Sequence, residues 1–478
     1  MNQLDFQRIL ARRQFLDNCS GGLGAVALAH LLGAEGRTAA AQVPDAGPMA
    51  VKRPHFEPKA KNAILIYQSG APSQLDLFDP KPGLAKWAGQ ALPPSMTKDL
   101  KLAFIKPNAK IMPSARTFRP YGQSGMEFSD WVPHLGSRAD DICMIRTMHT
   151  EAFNHDPGAL LLSTGVTQFG RPSVGSWVAY GLGSESQNLP GFVVLGSGKG
   201  PNAGSNIWSN GFLPSAYQGT RFRSVGDPIL YVSNAEGVTG ELQRARIDTI
   251  RHLNQRRLLK TGDQEIAARI ASYELAFRMQ IAVPQLLDFR DEPGHVLRSY
   301  GVGQEPTHAY ATNCLLARRM VERGVRFVML THGDWDDHKE LDKGHTRNCA
   351  TVDQPSAALV EDLKQRGLLD STVVIWASEF GRTPMGQMDR EDEDPGRDHH
   401  PDCFSMWLAG GGMAAGRVVG KTDDIGLKPV EDKVHVHDLQ ATLLHCLGFD
   451  HERLTYRHQG RDFRLTDVGG RVIDRLLA

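Results

Sequence analysis

The segment Thr331-His332-Gly333-Asp334-Trp335-Asp336-Asp337-His338 packs three carboxylates and two imidazoles into seven positions, and His345 follows seven residues later. Aspartate and histidine two or four positions apart at a strand end can chelate one divalent ion, and mixed oxygen and nitrogen donors suit zinc, manganese or iron. Trp335 and the apolar run before it pull the segment inward, which argues against a merely solvated acidic face. Asp334, Asp336 and His338 are therefore candidate metal ligands.

Further segments carry the same residue types. Ser378-Glu379-Phe380-Gly381-Arg382-Thr383-Pro384 sets a carboxylate beside a glycine that lets the chain turn, which makes Glu379 a candidate ligand unless it simply pairs with Arg382. Gly396-Arg397-Asp398-His399-His400-Pro401 offers adjacent histidines. Their side chains point in different directions, so one of His399 and His400 is expected to ligate, with Asp398 orienting the ring of the other. Asn154-His155-Asp156-Pro157-Gly158 heads an apolar helical pattern, and the free N–H groups of a helix start favour an anion such as sulfate or phosphate. Any capped helix has the same look.

These residues need elements that bring them together. Short continuous apolar runs recur at Asn62–Tyr67, Ile142–Arg146, Gly191–Leu195, Val325–Leu330, Thr372–Ala377 and Phe404–Ala409, with helical patterns such as Ser356–Gln365 and Asp438–Leu447 between several of them. That alternation predicts an α/β fold, a mostly parallel sheet covered by helices on both faces. In such sheets ligands gather at the carboxyl ends of the strands, where the candidate residues stand. Leu242, Ile247, Ile250 and Leu253, then Ile266, Ile270, Leu275 and Phe277, predict two long helices around Lys260-Thr261-Gly262-Asp263. This helical insertion, 241–290, could cover one face of the sheet or serve as a dimerisation arm, and the oligomeric state stays open.

Basic and acidic residues balance at 54 each, so there is no net field to draw nucleic acid or an anionic membrane surface. No stretch of the mature chain approaches the roughly 20 apolar residues of a membrane span. There are six cysteines and no C-x-x-C pair, which excludes a zinc ribbon or a thioredoxin-like site and predicts that most are small buried apolar residues. At the N-terminus, Ala11-Arg12-Arg13-Gln14-Phe15-Leu16, a Gly/Ala/Leu-rich run from Gly21 to Gly33 and Ala39-Ala40-Ala41 read as a twin-arginine export signal. The expected layout is a signal peptide over 1–41, a Pro-rich linker over 42–61 and one α/β domain over 62–478, in a periplasmic or secreted protein.

The order of these pieces resembles the alkaline phosphatase and sulfatase superfamily, and in particular its exported branch known as domain of unknown function 1501. The resemblance is carried by Ser69-Gly-Ala-Pro-Ser-Gln-Leu-Asp76, Trp335-Asp-Asp-His338, Glu379-Phe-Gly-Arg-Thr-Pro384, Gly396-Arg-Asp-His399, Ala409-Gly-Gly-Gly412 and Leu454-Thr-Tyr-Arg-His-Gln-Gly-Arg-Asp-Phe-Arg-Leu-Thr-Asp467. It implies a divalent metal, zinc first, with manganese, calcium or iron as alternatives, and a small-molecule or glycan sulfate or phosphate ester as substrate. Asp334 to His338 resembles the superfamily's Asp-x-x-x-His pair, and His399 or His400 its later lone histidine ligand. Ser69 stands where the first strand usually delivers an aspartate, leaving Asp76 as a substitute, and Phe380 replaces a histidine after Glu379. His155 stands at the nucleophile position, where it would act as nucleophile or base. The alternative reading is a non-catalytic cell-envelope protein that binds anionic glycans through the same pocket.

Overall fold

The computed structural model describes residues 47–98, 100, 102–223, 229, 234, 237–387 and 394–478. Residues 1–46, which hold the expected signal peptide and the first five residues of the expected linker, lie outside the described residues. The described chain is built on a nine-stranded sheet. Each of the six apolar runs forms one of its strands: β1 (Asn62–Gln68), β2 (Ile142–His149), β3 (Phe192–Ser197), β5 (Phe327–His332), β6 (Thr372–Ala377) and β9 (Phe404–Ala409), joined at one edge by the short β4 (Thr220–Arg221). Between β6 and β9 in the chain, β7 (Gly381–Gln387) and β8 (Gly396–His400) pair as a separate two-stranded antiparallel ribbon. The strand order is β2-β9-β6-β1-β5-β3-β4, and Val418–Val419 and Val434–His435 add two short pieces beside β2.

Strands β6, β1, β5, β3 and β4 run parallel, whereas β9 is antiparallel to both β6 and β2. This reversal positions the site. A chain leaving the carboxyl end of β6 can form the β7–β8 ribbon and enter β9 from the same end of the sheet. A parallel β9 would have forced the chain back across the sheet first.

Burial follows the two-residue period of the strands. Leu65 and Tyr67 of β1 pack with Leu160 and Leu161 of α1 (His155–Thr164), Trp177 of α2 (Val174–Leu182) and Leu443 of α7 (Val436–Cys446). Ile64 and Ile66 face the other way, against Leu315 and Met320 of α5 (His308–Glu322) and Val352 and Leu359 of α6 (Leu341–Gln365). Helices thus cover both faces, each burying apolar side chains against strands that are apolar throughout. The two long helices expected around Lys260–Asp263 are α3 (Gly240–Thr261) and α4 (Gln264–Leu287). Met279, Val283 and Leu286 of α4 join the second core face, while α3 buries only Ile247 among its described residues.

Cys143, Cys314, Cys349, Cys403 and Cys446 are all buried and unpaired. Burial pushes the thiols of Cys143 and Cys446 up to about 12, as expected of inert apolar packing. No helix of the described residues is long and apolar enough to cross a membrane.

Candidate metal centre

Helix α1 begins at His155, and its first turn approaches the end of β6 closely. A side-chain carbon at Gly158 would lie 3.1 Å from Glu379 Cβ and 3.3 Å from the Phe380 ring, so a larger residue would push the helix start away. With glycine there, His155 Nδ1 donates to Glu379 Oε1 at 2.6 Å. Glu379 has no solvent exposure and also accepts from the Gly70 N–H at 2.9 Å and the Tyr67 hydroxyl at 3.0 Å. Burial works against its ionisation, but the contact with His155 outweighs it and holds the carboxyl below its ordinary range.

The loop after β5 is threaded against the loop after β1. Gly70 has φ +113°, and a side-chain carbon there would sit 2.6 Å from the Asp336 backbone nitrogen. Below Asp336 lies Arg382, with no solvent exposure, donating to Asp336 Oδ1 at 2.7 Å, to the Ala71 carbonyl at 2.8 Å, to the Arg397 carbonyl at 2.9 Å and to the Gly70 carbonyl. Arg382 is therefore the partner of Asp336 and not of Glu379.

Around Asp336 Oδ1 stand the Nε2 atoms of His155 at 3.1 Å, His338 at 3.0 Å and His399 at 3.3 Å. The ligand atoms of these four residues all lie within 4.8 Å of one another. The opposite ring nitrogen of each histidine is engaged: His155 Nδ1 by Glu379, His338 Nδ1 by Gln387 Oε1 at 2.6 Å, and His399 Nδ1 by the Phe153 carbonyl at 2.7 Å. Since these partners are acceptors, the Nδ1 atoms carry protons, and in a neutral ring the Nε2 lone pair turns inward. His338 Nε2 and His399 Nε2 are only 3.0 Å apart. Converging lone pairs beside a carboxylate repel unless positive charge lies among them, and His155 Nε2 is buried without a hydrogen-bond partner. Three imidazoles and one carboxylate, each imidazole oriented by a further acceptor, fit a divalent ion with zinc's donor preferences.

The charges of the metal-free site are set by its neighbours. Burial opposes the charged forms, yet contacts from His155, His338 and His399 and the Arg382 charge hold Asp336 well below the usual carboxylate range. For His155, burial is outweighed by Asp336 and Glu379, which push its pKa up to about 9, so without an ion its Nε2 holds a proton that a metal would have to displace. Burial lowers His399, which favours the neutral ring that a metal requires.

Asp336, His338 and His399 stand together in the structure, and His155, expected as nucleophile or base, lies beside them with its Nε2 in the same cluster. Glu379 lies one step behind, on His155. Asp334, with φ +73°, is exposed, and its carbonyl accepts from Asn348 Nδ2 at 2.6 Å. Asp76 is buried on the far side of the ribbon's arginine: Arg397 Nε contacts it at 2.8 Å and the Ser73 hydroxyl at 2.5 Å. His400 points the other way from His399, its Nε2 on the Leu427 carbonyl at 2.9 Å. Asp398 orients neither ring, accepting backbone N–H groups instead. Sequence reasoning did not anticipate Gln387 or the Phe153 carbonyl as ring holders. The only available signal for Gln387 was its place at the end of the strand paired with the one that carries His399.

The donors open into a cavity of about 470 Å³ lined by Phe104, Asn154, Asp156 and Asn202 together with His155, Asp336, His338 and His399. Asp336 is 44% exposed to it. Helix α1 starts at this cavity, and no side chain caps it.

Fold and donors define an α/β protein with a candidate three-histidine, one-carboxylate metal centre at the carboxyl end of its sheet. Residues 60–477 match the family described as protein of unknown function (DUF1501), and the chain belongs to that family. No curated protein matches it. Among solved structures, the chain is similar to the lipoteichoic acid synthase LtaP from Listeria monocytogenes (9% identity, 84% of this chain and 76% of that one, TM-score 0.37). It is also similar to the PsFucS1 sulfatase from Pseudoalteromonas sp. (12% identity, 82% and 68%, TM-score 0.35). A third is the phosphonate monoester hydrolase of Agrobacterium radiobacter (12% identity, 83% and 74%, TM-score 0.32).

Proposed function

We propose that the protein is an exported, metal-dependent hydrolase of sulfate or phosphate esters. The observation that carries this reading is the convergence of three inward-facing Nε2 atoms on Asp336 in an open cavity. His155, Asp336, His338 and His399 would hold the ion, which supplies Lewis acidity toward an ester oxygen and acidifies water. The start of α1 favours the ester's anionic oxygens, and the amides of Asn154 and Asn202 can donate to them. In this reading water attacks the ester sulfur or phosphorus, the ester oxygen leaves and takes up a proton to become the alcohol, and His155, which lines the cavity, is the alternative nucleophile or base. Glu379 keeps the Nδ1 proton of His155 in place, fixing which nitrogen faces the pocket.

Among the described residues none that lines the cavity is serine, threonine or cysteine, which favours a second reading, binding of anionic glycans without turnover. Elemental analysis of the purified protein and a panel of sulfate and phosphate esters, run with and without chelator, separate the two. Chelator-sensitive hydrolysis is the expected result. A metal-loaded protein that turns over none of the panel yet binds sulfated or phosphorylated glycans leaves the binding reading in place.

A further inference from the structure

Phe104 is 62% exposed, although it stands beside two of the candidate ligands. Its ring is edge-on to His338 at 5.1 Å and to His399 at 5.5 Å between centroids, and it forms one wall of the cavity. A large exposed apolar side chain at this point is not a loose surface residue, because its loop is fixed. Asp398, with no solvent exposure, accepts through Oδ2 from the N–H groups of Ala103 at 3.0 Å, Phe104 at 2.9 Å and Ile105 at 3.2 Å, and through Oδ1 from the His399 N–H at 2.9 Å. A buried carboxylate is tolerated because its bonds with N–H donors replace hydration. One side chain therefore ties the Phe104 loop to the strand that delivers His399.

A phenyl face carries partial negative charge and gains nothing from a sulfate or phosphate group. It does gain from the C–H face of a ring. The polar residues that share the cavity, Asn154, Asp156 and Asn202, carry amides and a carboxylate suited to hydroxyl groups. An aromatic wall with amide and carboxylate partners is the chemistry that recognises a ring with both an apolar face and hydroxyls.

We infer that Phe104 is the specificity-determining wall of this pocket, held by Asp398 to stack on a pyranose ring that bears the anionic ester. The inference rests on the pocket being the anionic-ester site proposed above, but not on its being catalytic. The test is calorimetric binding of non-hydrolysable sulfonates to the metal-loaded protein: a pyranoside sulfonate, benzenesulfonate and a straight-chain alkanesulfonate. The pyranoside should bind about tenfold tighter than the alkane probe, Phe104→Ala should erase that difference with metal content retained, and Phe104→Tyr should keep it. Equal binding of ring and chain probes to the wild type, no binding of any probe, or a preference that survives Phe104→Ala overturns the inference. An equal gain for benzenesulfonate assigns an aryl ring and overturns the sugar. A wild type that shows the Phe104-dependent preference yet hydrolyses no ester sinks the hydrolase reading alone.

Discussion

Glu379 and His155, 224 residues apart in sequence, meet at 2.6 Å, and the carboxylate has no solvent exposure. The contact fixes the imidazole tautomer and aims Nε2 at Asp336. It joins the end of one central strand to the start of α1, so the geometry of the donors depends on how helix and sheet pack.

Glu379→Gln should keep the fold, since the two side chains have nearly the same shape, while weakening the acceptor that His155 needs. A loss of about 10-fold to 100-fold in metal affinity is expected, read by competition with a chelator of known strength. Unchanged affinity would place His155 outside the metal set.

His338→Ala and His399→Ala should each abolish stoichiometric metal in elemental analysis. His400→Ala, at the neighbouring position but facing Leu427, should retain the metal and cost about 1–3 kcal/mol in stability, because it empties a buried polar site. Metal loss in the His400 variant with retention in the His399 variant would reverse the assignment.

Gly70→Ala tests the crossing of two loops. Its φ of +113° and the 2.6 Å approach to the Asp336 nitrogen leave no room for a methyl group. Destabilisation of about 1–3 kcal/mol is expected, together with weakened metal binding as Asp336 shifts. Wild-type values for both in denaturant and metal titrations would remove the positioning role of this glycine.

His332, buried at the end of β5, has its pKa lowered to about 4 by burial. The unfolded chain takes up this proton near pH 6.5, so between those values the unfolded state binds more protons. Stability contributed by the neutral ring is present above pH 6.5 and is lost as pH falls toward 4. The melting temperature of the metal-free protein should drop over that window, and His332→Gln should flatten the drop. A slope unaltered by the substitution would assign it to other groups.

Export is a separate proposal and has a separate test. Arg12 and Arg13 changed together to lysine should leave the precursor in the cytoplasm, as cell fractionation would show. Mature periplasmic protein from that variant would exclude the twin-arginine route.

Six strands, β1, β2, β3, β5, β6 and β9, were legible because each is a short apolar run ending in polar residues, whereas the polar β7 and β8 gave no such signal. Asp336, His338 and His399 were legible because they follow or adjoin the apolar runs. The place of His155 was harder to read, since it depends on Gly158 letting α1 approach Glu379. Asp76 and His400 have suitable side chains, but Arg397 and the Leu427 carbonyl claim them elsewhere, and Asp334 is exposed, with Asn348 holding only its backbone carbonyl. Such partners come from distant parts of the chain. The Phe153 carbonyl that fixes His399 is a backbone group, which residue identity cannot announce.

The five unpaired thiols are sealed in apolar surroundings. Among the described residues no covalent cross-link ties helices to sheet, so the packing of these residues should be indifferent to the thiol poise of its surroundings, and a reducing agent should leave the melting temperature where it was.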